Sequence, residues 1–179
     1  LDTDQALFST DFRATENLAQ LVIQVAGRAG RAERTGEVIL QTHHPEHPLL
    51  QQLLKHGYDA FASAALEERQ QAGLPPSQPM AILRCESVGP AQAMDFLEHC
   101  RALATQEAPQ SLLNDIQLYG PLAAPMERRA GRYRYQLMLQ SGERWPLQRL
   151  LNWWIPQLGE LQPARKVRWS VDVDPVDSY

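Results

Sequence analysis

Leu18, Leu21, Val22, Val25 and Ala26 recur at the i, i+3, i+4, i+7, i+8 spacing of one apolar stripe on a helix. The pattern predicts a helix that starts near Ala14–Glu16 and frays at Gly27, with Gly30 and Gly36 marking loop backbone beyond it. Glu37–Thr42 is rich in β-branched residues and predicts a short strand, left by way of Pro45 and Pro48. Leu49–Lys55 and Tyr58–Gln71 predict two helices, closed by Gly57 and Gly73. The run Leu74-Pro75-Pro76-Ser77-Gln78-Pro79 then interrupts all regular structure. A domain boundary is expected there, at about residue 76, dividing the chain into 1–75 and 76–179.

The second part alternates more regularly. Met80–Ser87 predicts a strand, and Ala93, Met94, Leu97, Cys100 and Leu103 lie at helical spacing within Ala91–Thr105. Ile116–Tyr119 predicts a short strand that stops at Gly120-Pro121. Arg132–Gln140 places Tyr133, Tyr135, Leu137 and Leu139 on one face and Arg132, Arg134, Gln136, Met138 and Gln140 on the other. Pro146–Leu158 predicts an amphipathic helix with Leu147, Leu150, Leu151 and Trp154 as its stripe and Pro156 near its end. Val167, Trp169, Val171 and Val173 alternate as a last strand, stopped by Pro175. The order β-α-β-β-α-β suits an α+β domain of the ferredoxin-like, split βαβ kind, with two helices on one face of a four-stranded sheet.

Composition changes this picture little, and charge changes it more. The chain of 179 residues has 44% hydrophobic positions, an ordinary globular value, and no apolar run near the roughly 20 residues that span a bilayer. It opens on Leu1-Asp2-Thr3-Asp4, without Met or a signal segment, as a piece of a longer chain would. Cys85 and Cys100 make no disulfide framework and read as buried thiols in a reducing cytoplasm. Net charge is −4, yet residues 126–149 hold six arginines against two glutamates.

Gln24-Val25-Ala26-Gly27-Arg28-Ala29-Gly30-Arg31 is the string most specific for chemistry. Hydrolysis of a nucleoside triphosphate puts negative charge on the transferring phosphoryl group, and a fixed guanidinium stabilises it. Gln24, Arg28 and Arg31 lie within about 60° of one face if helical geometry persists. The chain has no G-x-x-x-x-G-K-[ST] string and no acidic strand end to hold nucleotide and Mg²⁺, so that pocket is expected in other sequence.

Four further clusters carry candidate chemistry. His43, His44 and His47 with Glu46 resemble a zinc set, but adjacent histidines in a strand point to opposite faces and no cysteine joins them; they read as a solvated turn. Arg128, Arg129, Arg132 and Arg134, interleaved with Tyr133 and Tyr135, form the best nucleic-acid patch, because guanidinium neutralises phosphate and rings offer stacking faces. Arg165, Lys166 and Arg168 extend it if the last strand lies nearby. Trp145, Trp153 and Trp154 cluster on one helix that Arg144 precedes, and a basic helix start beside apolar surface suits an acidic peptide ending in hydrophobic residues. Asp172, Asp174 and Asp177 read as surface charge rather than a metal cluster.

The form Q-x-x-G-R-x-G-R looks like the last motif of superfamily 2 helicases. The flanking strings Leu1–Ala14, Gln41–Pro48 and Lys166–Pro175 narrow the resemblance to the bacterial primosomal replication-restart DNA helicases, the PriA family, along the whole chain. The resemblance implies that 1–75 is the tail of a RecA-like second motor lobe and 76–179 a C-terminal domain that binds DNA and protein. It implies that Arg28 and Arg31 contact the γ-phosphate of ATP and that Gln24 couples that contact to motor closure. It further implies ATP-dependent 3′→5′ unwinding, replisome reloading at stalled forks, and a cytoplasmic, nucleoid-associated location. The implied partners are forked and single-stranded DNA, primosome proteins, and the acidic tail of single-stranded-DNA-binding protein, with Arg144 and Gln148 as members of the tail site. ATP, Mg²⁺ and a zinc module belong to the parent protein, with no zinc site expected in this segment. Two rivals stand beside it: another superfamily 2 motor such as a branch-migration helicase, and a non-catalytic nucleic-acid-binding module whose GRAGR turn is merely basic.

Overall fold

The computed structural model describes residues 3–9, 11–29 and 37–176. The chain divides into two compact units, Leu1–Ala72 and Gly73–Tyr179.

The described elements of the first unit are helices α1 (Thr3–Leu7), α2 (Ala14–Ala29) and α3 (Pro48–Gln71). Asp11 sets the start of α2: its carboxylate accepts from the Arg13 amide at 3.2 Å and its carbonyl from the Ala14 amide at 3.0 Å. The helix does not fray at Gly27 but continues to Ala29. A single internal glycine costs only about 1 kcal/mol, and its neighbours Gln24, Ala26, Arg28 and Ala29 are good helix formers. Gly57, at φ 82°, breaks α3 into the two halves that the sequence pattern predicts. Leu18, Ala19 and Val22 pack against Leu49, Leu53, Phe61 and Ala65, and Arg69 pairs with Glu16 at 3.0 Å.

Two expectations fail in this unit. Only Leu18 and Val22 of the apolar stripe are core; Ala26 is exposed, and Leu21 and Val25 are each 37% exposed. One packed helix covers a narrower band than the stripe presents. Residues 37–42 form no strand. An isolated strand leaves its N–H and C=O groups without partners, and no strand lies among the described residues of this unit. Asp4 instead ties that segment down, accepting from the Thr42 hydroxyl and from the His43 amide at 3.0 Å.

The second unit runs β1 (Met80–Ser87), α4 (Pro90–Ala102), β2 (Ile116–Arg129), β3 (Arg132–Ser141), α5 (Arg144–Leu158) and β4 (Arg168–Val173). The sheet order is β2-β3-β1-β4 and every neighbouring pair is antiparallel. This is the split βαβ order that the alternation predicts. Helices α4 and α5 cover one face. There Ala81, Leu83, Cys85, Leu137 and Leu139 meet Phe96, Leu97, Cys100, Leu147, Leu150 and Trp154. Burying each large apolar side chain contributes about 1.5–3 kcal/mol. The Trp154 indole N–H, fully buried, donates to the Cys100 carbonyl at 3.0 Å. Burial pushes the Cys85 thiol up to about 12, and the Cys100 thiol moves the same way, so both stay protonated.

Strand β2 is longer than expected. Gly120 does not end it; the register shifts between Tyr119 and Leu122 and again between Ala123 and Arg128. Gly120 adopts φ 107°, a bulge conformation, and its carbonyl accepts from Arg101 at 3.0 Å. No described helix is long and apolar enough to cross a membrane.

Candidate nucleic-acid interface

Strands β2 and β3 are joined by Ala130 and Gly131, at φ 49° and 77°. Two central residues with positive φ make the hairpin turn that matches strand twist. The turn sets Arg129 directly opposite Arg132 and Arg128 opposite Tyr133. Two like charges held face to face repel. The Arg128 guanidinium lies over the Tyr133 ring, 5.3 Å from its centroid. Tyr135 donates its hydroxyl to Glu127 at 2.8 Å, and that carboxylate pushes the tyrosine pKa up.

The alternation therefore splits the predicted patch between two faces. Arg128 shares a side with Tyr133, whereas Arg132 and Arg134 project from the face opposite the helices. Arg168 joins the second group through Glu86: Arg132 lies 4.0 Å and Arg168 3.6 Å from the Glu86 carboxylate. Arg84, on the same face, pairs with Asp172 at 3.1 Å. Arg84 and Glu86 were not singled out from the sequence, although the alternation of β1 puts both on this polar face. Arg165 and Lys166 are exposed in a short turn, Gln162–Lys166, and Lys166 lies with Asp95 and Gln92 of α4 instead.

At the start of α5, Arg144 and Gln148 are exposed one helical turn apart. Arg144 pairs with Asp174 at 3.0 Å. Trp145 is 64% exposed, and the Arg149 guanidinium stands 4.6 Å from its ring centroid. Asp172 and Asp174 thus serve arginines, while Asp177 lies outside the described residues.

In the first unit Gln24 and Arg28 sit four residues apart on the exposed end of α2. Arg31 lies outside the described residues. His43 bonds Asp4 through Nδ1 at 2.7 Å, and Phe8 packs edge-on against His44 and His47. The Thr42 hydroxyl and the His43 amide hold the Asp4 carboxyl down at about 2. Among the described residues no three His, Cys, Asp or Glu side chains gather as metal ligands.

A four-stranded antiparallel sheet, two helices on one face and arginines on its hairpin and other face define an α+β domain with an arginine-bearing surface. Residues 70–176 match the primosomal protein N C-terminal domain, and the chain belongs to that family. The replication restart protein PriA of Haemophilus influenzae is 46% identical over 177 residues, covering 99% of this chain and 23% of that protein. The proteins of the same name from Synechocystis and Bacillus subtilis are 34% and 31% identical, covering 76% and 98% of this chain and 16% and 21% of themselves. The chain spans about a quarter or less of the length of these relatives.

Proposed function

We propose that the chain is part of an ATP-dependent 3′→5′ DNA helicase that restarts replication at stalled forks. In this reading residues 1–75 are the tail of a RecA-like motor lobe. Arg28 and Arg31 stabilise charge on the γ-phosphate of Mg²⁺-bound ATP, and Gln24 couples that contact to closure. Residues 76–179 grip forked and single-stranded DNA through Arg128, Arg129, Arg132, Arg134 and Arg168. Arg144 and Gln148 take the acidic tail of single-stranded-DNA-binding protein, Asp174 being displaced from Arg144 as the peptide arrives.

The observation that carries the reading is the joint presence of two features in one chain of this family. A guanidinium and an amide share the exposed end of α2, and an arginine-tipped hairpin leads the following domain. Neither half explains the other unless phosphate chemistry is coupled to a strand. The segment itself hydrolyses nothing in this reading, because its phosphate-binding lobe lies elsewhere.

The test uses the complete protein that contains this chain. Arg28→Ala is expected to cut DNA-stimulated ATP turnover by about a thousandfold or more with DNA affinity unchanged. Loss of DNA affinity with ATP turnover kept would instead favour the binding-module reading. In the same protein Arg144→Glu is expected to weaken capture of a fluorescent tail peptide; unchanged capture removes that assignment.

A further inference from the structure

Two cross-strand rows cross the face of the sheet opposite the helices. Arg168 of β4, Glu86 of β1 and Arg134 of β3 stand side by side in register; Ser170, Arg84 and Gln136 form the next row. Together with Ala124 they line an open concavity of about 250 Å³. Three arginines and one carboxylate make its floor electropositive. The volume lies below the roughly 300–1,000 Å³ of pockets for drug-sized ligands, so it suits a small unit rather than a large one.

Gln136 decides what that unit is. Its side chain is only 6% exposed, yet its Oε1 is buried without a hydrogen-bond partner. An unsatisfied buried acceptor is costly, and native structures keep few of them. The phosphodiester of a strand does not satisfy it, since its oxygens accept and do not donate. The missing partner is a donor carried by a molecule that also brings an anion for the arginines. Arg134 adds to this: it lies across from Glu86, and no hydrogen bond or ion pair holds its guanidinium among the described residues. Arg84 and Arg168 already have carboxylate partners in Asp172 and Glu86.

We propose that this concavity holds one nucleotide of an unpaired strand, with the base edge on the Gln136 amide and the flanking phosphate on Arg134. Every nucleobase carries a ring or exocyclic N–H beside an acceptor, which matches the two ends of a carboxamide. Arg168 and Ser170 border the phosphate side, and the Glu86 carboxylate turns away anions that lack a base to anchor them. The proposal deepens the DNA-binding reading above and rests on it. The hairpin tip supplies general affinity for the backbone, and this site senses that a base is unstacked and present.

The experiment measures binding of the 179-residue chain by fluorescence anisotropy. Its probes are an oligothymidylate of about 16 nucleotides, the upper site size of one strand-binding module, and an abasic strand of equal length. The unmodified chain is expected to prefer the base-bearing strand about tenfold, the worth of one hydrogen-bonded edge. Gln136→Leu should remove that preference and leave abasic binding in place. Arg134→Ala should weaken both probes and lower the slope of log affinity against log salt by about 1. If both variants keep the parental preference while Arg128→Ala with Arg129→Ala weakens both probes, the site is wrong and the DNA-binding reading stands. If the unmodified chain binds neither probe, that reading fails and the site with it. An NMR titration guards against misfolding of Gln136→Leu. In the unmodified chain the Gln136 side-chain amide signals should shift with oligothymidylate, and stationary signals overturn the proposal.

Discussion

A methyl group at Gly120 would lie 2.9 Å from the Gln136 carbonyl oxygen and 2.9 Å from the Leu122 nitrogen, in backbone with φ 107°. Both obstacles are main chain, so neither can swing aside. Gly120→Ala is therefore expected to destabilise the second unit by about 2 kcal/mol or more, read as a fall of roughly 8–16 °C in its thermal midpoint. A variant melting within a degree or two of the parent would mean that the bulge relaxes freely. The sequence signalled a break at Gly120-Pro121 but not its kind, because stop and bulge use the same residues. The site has the same divided legibility. Alternation in Arg132–Gln140 assigned each arginine to a face. It did not reveal that Arg128 covers Tyr133, or that Gln136 stands beside Arg84. Those neighbours come from register between strands distant in sequence, which no local pattern encodes.

Helix α5 shows an element whose pattern and packing agree. Leu147, Leu150, Leu151 and Trp154 are its predicted stripe and its buried face. Trp154 does two jobs there, filling volume against the sheet and donating its buried indole N–H to a carbonyl near the end of α4. Substitution separates them. Trp154→Phe keeps most of the volume and loses the bond, for about 1–2 kcal/mol; Trp154→Ala adds a cavity, for about 3–5 kcal/mol. Urea unfolding followed by far-ultraviolet circular dichroism checks both, and equal losses would show that the hydrogen bond contributes nothing. Residues 37–42 are the opposite case. Their β-branched composition was real, but a strand is a property of a pair, and a pattern within one segment cannot say whether its partner is present. Helices close their hydrogen bonds internally and need no partner, whereas β1, β3 and β4 form where the alternation places them because each has a neighbour in the sheet.

At the scale of the whole molecule, the two units have cores of unequal size. The first joins parts of two helices; the second is roofed by two helices over four strands. Stability grows with the surface that a unit buries. Scanning calorimetry is expected to resolve two transitions, the first unit melting at the lower temperature, and one cooperative transition would show that the units unfold together. The second unit's sheet also ends on an edge, β2, that exposes Tyr119, Leu122 and Met126. A flat apolar edge of that length is a template on which another chain can lay its own strand. The two register shifts in β2 cut the free row of amides and carbonyls into short runs, and the strand finishes in paired arginines that repel a second copy. The bulge at Gly120 thus interrupts the edge on which another chain's strand would have to pair.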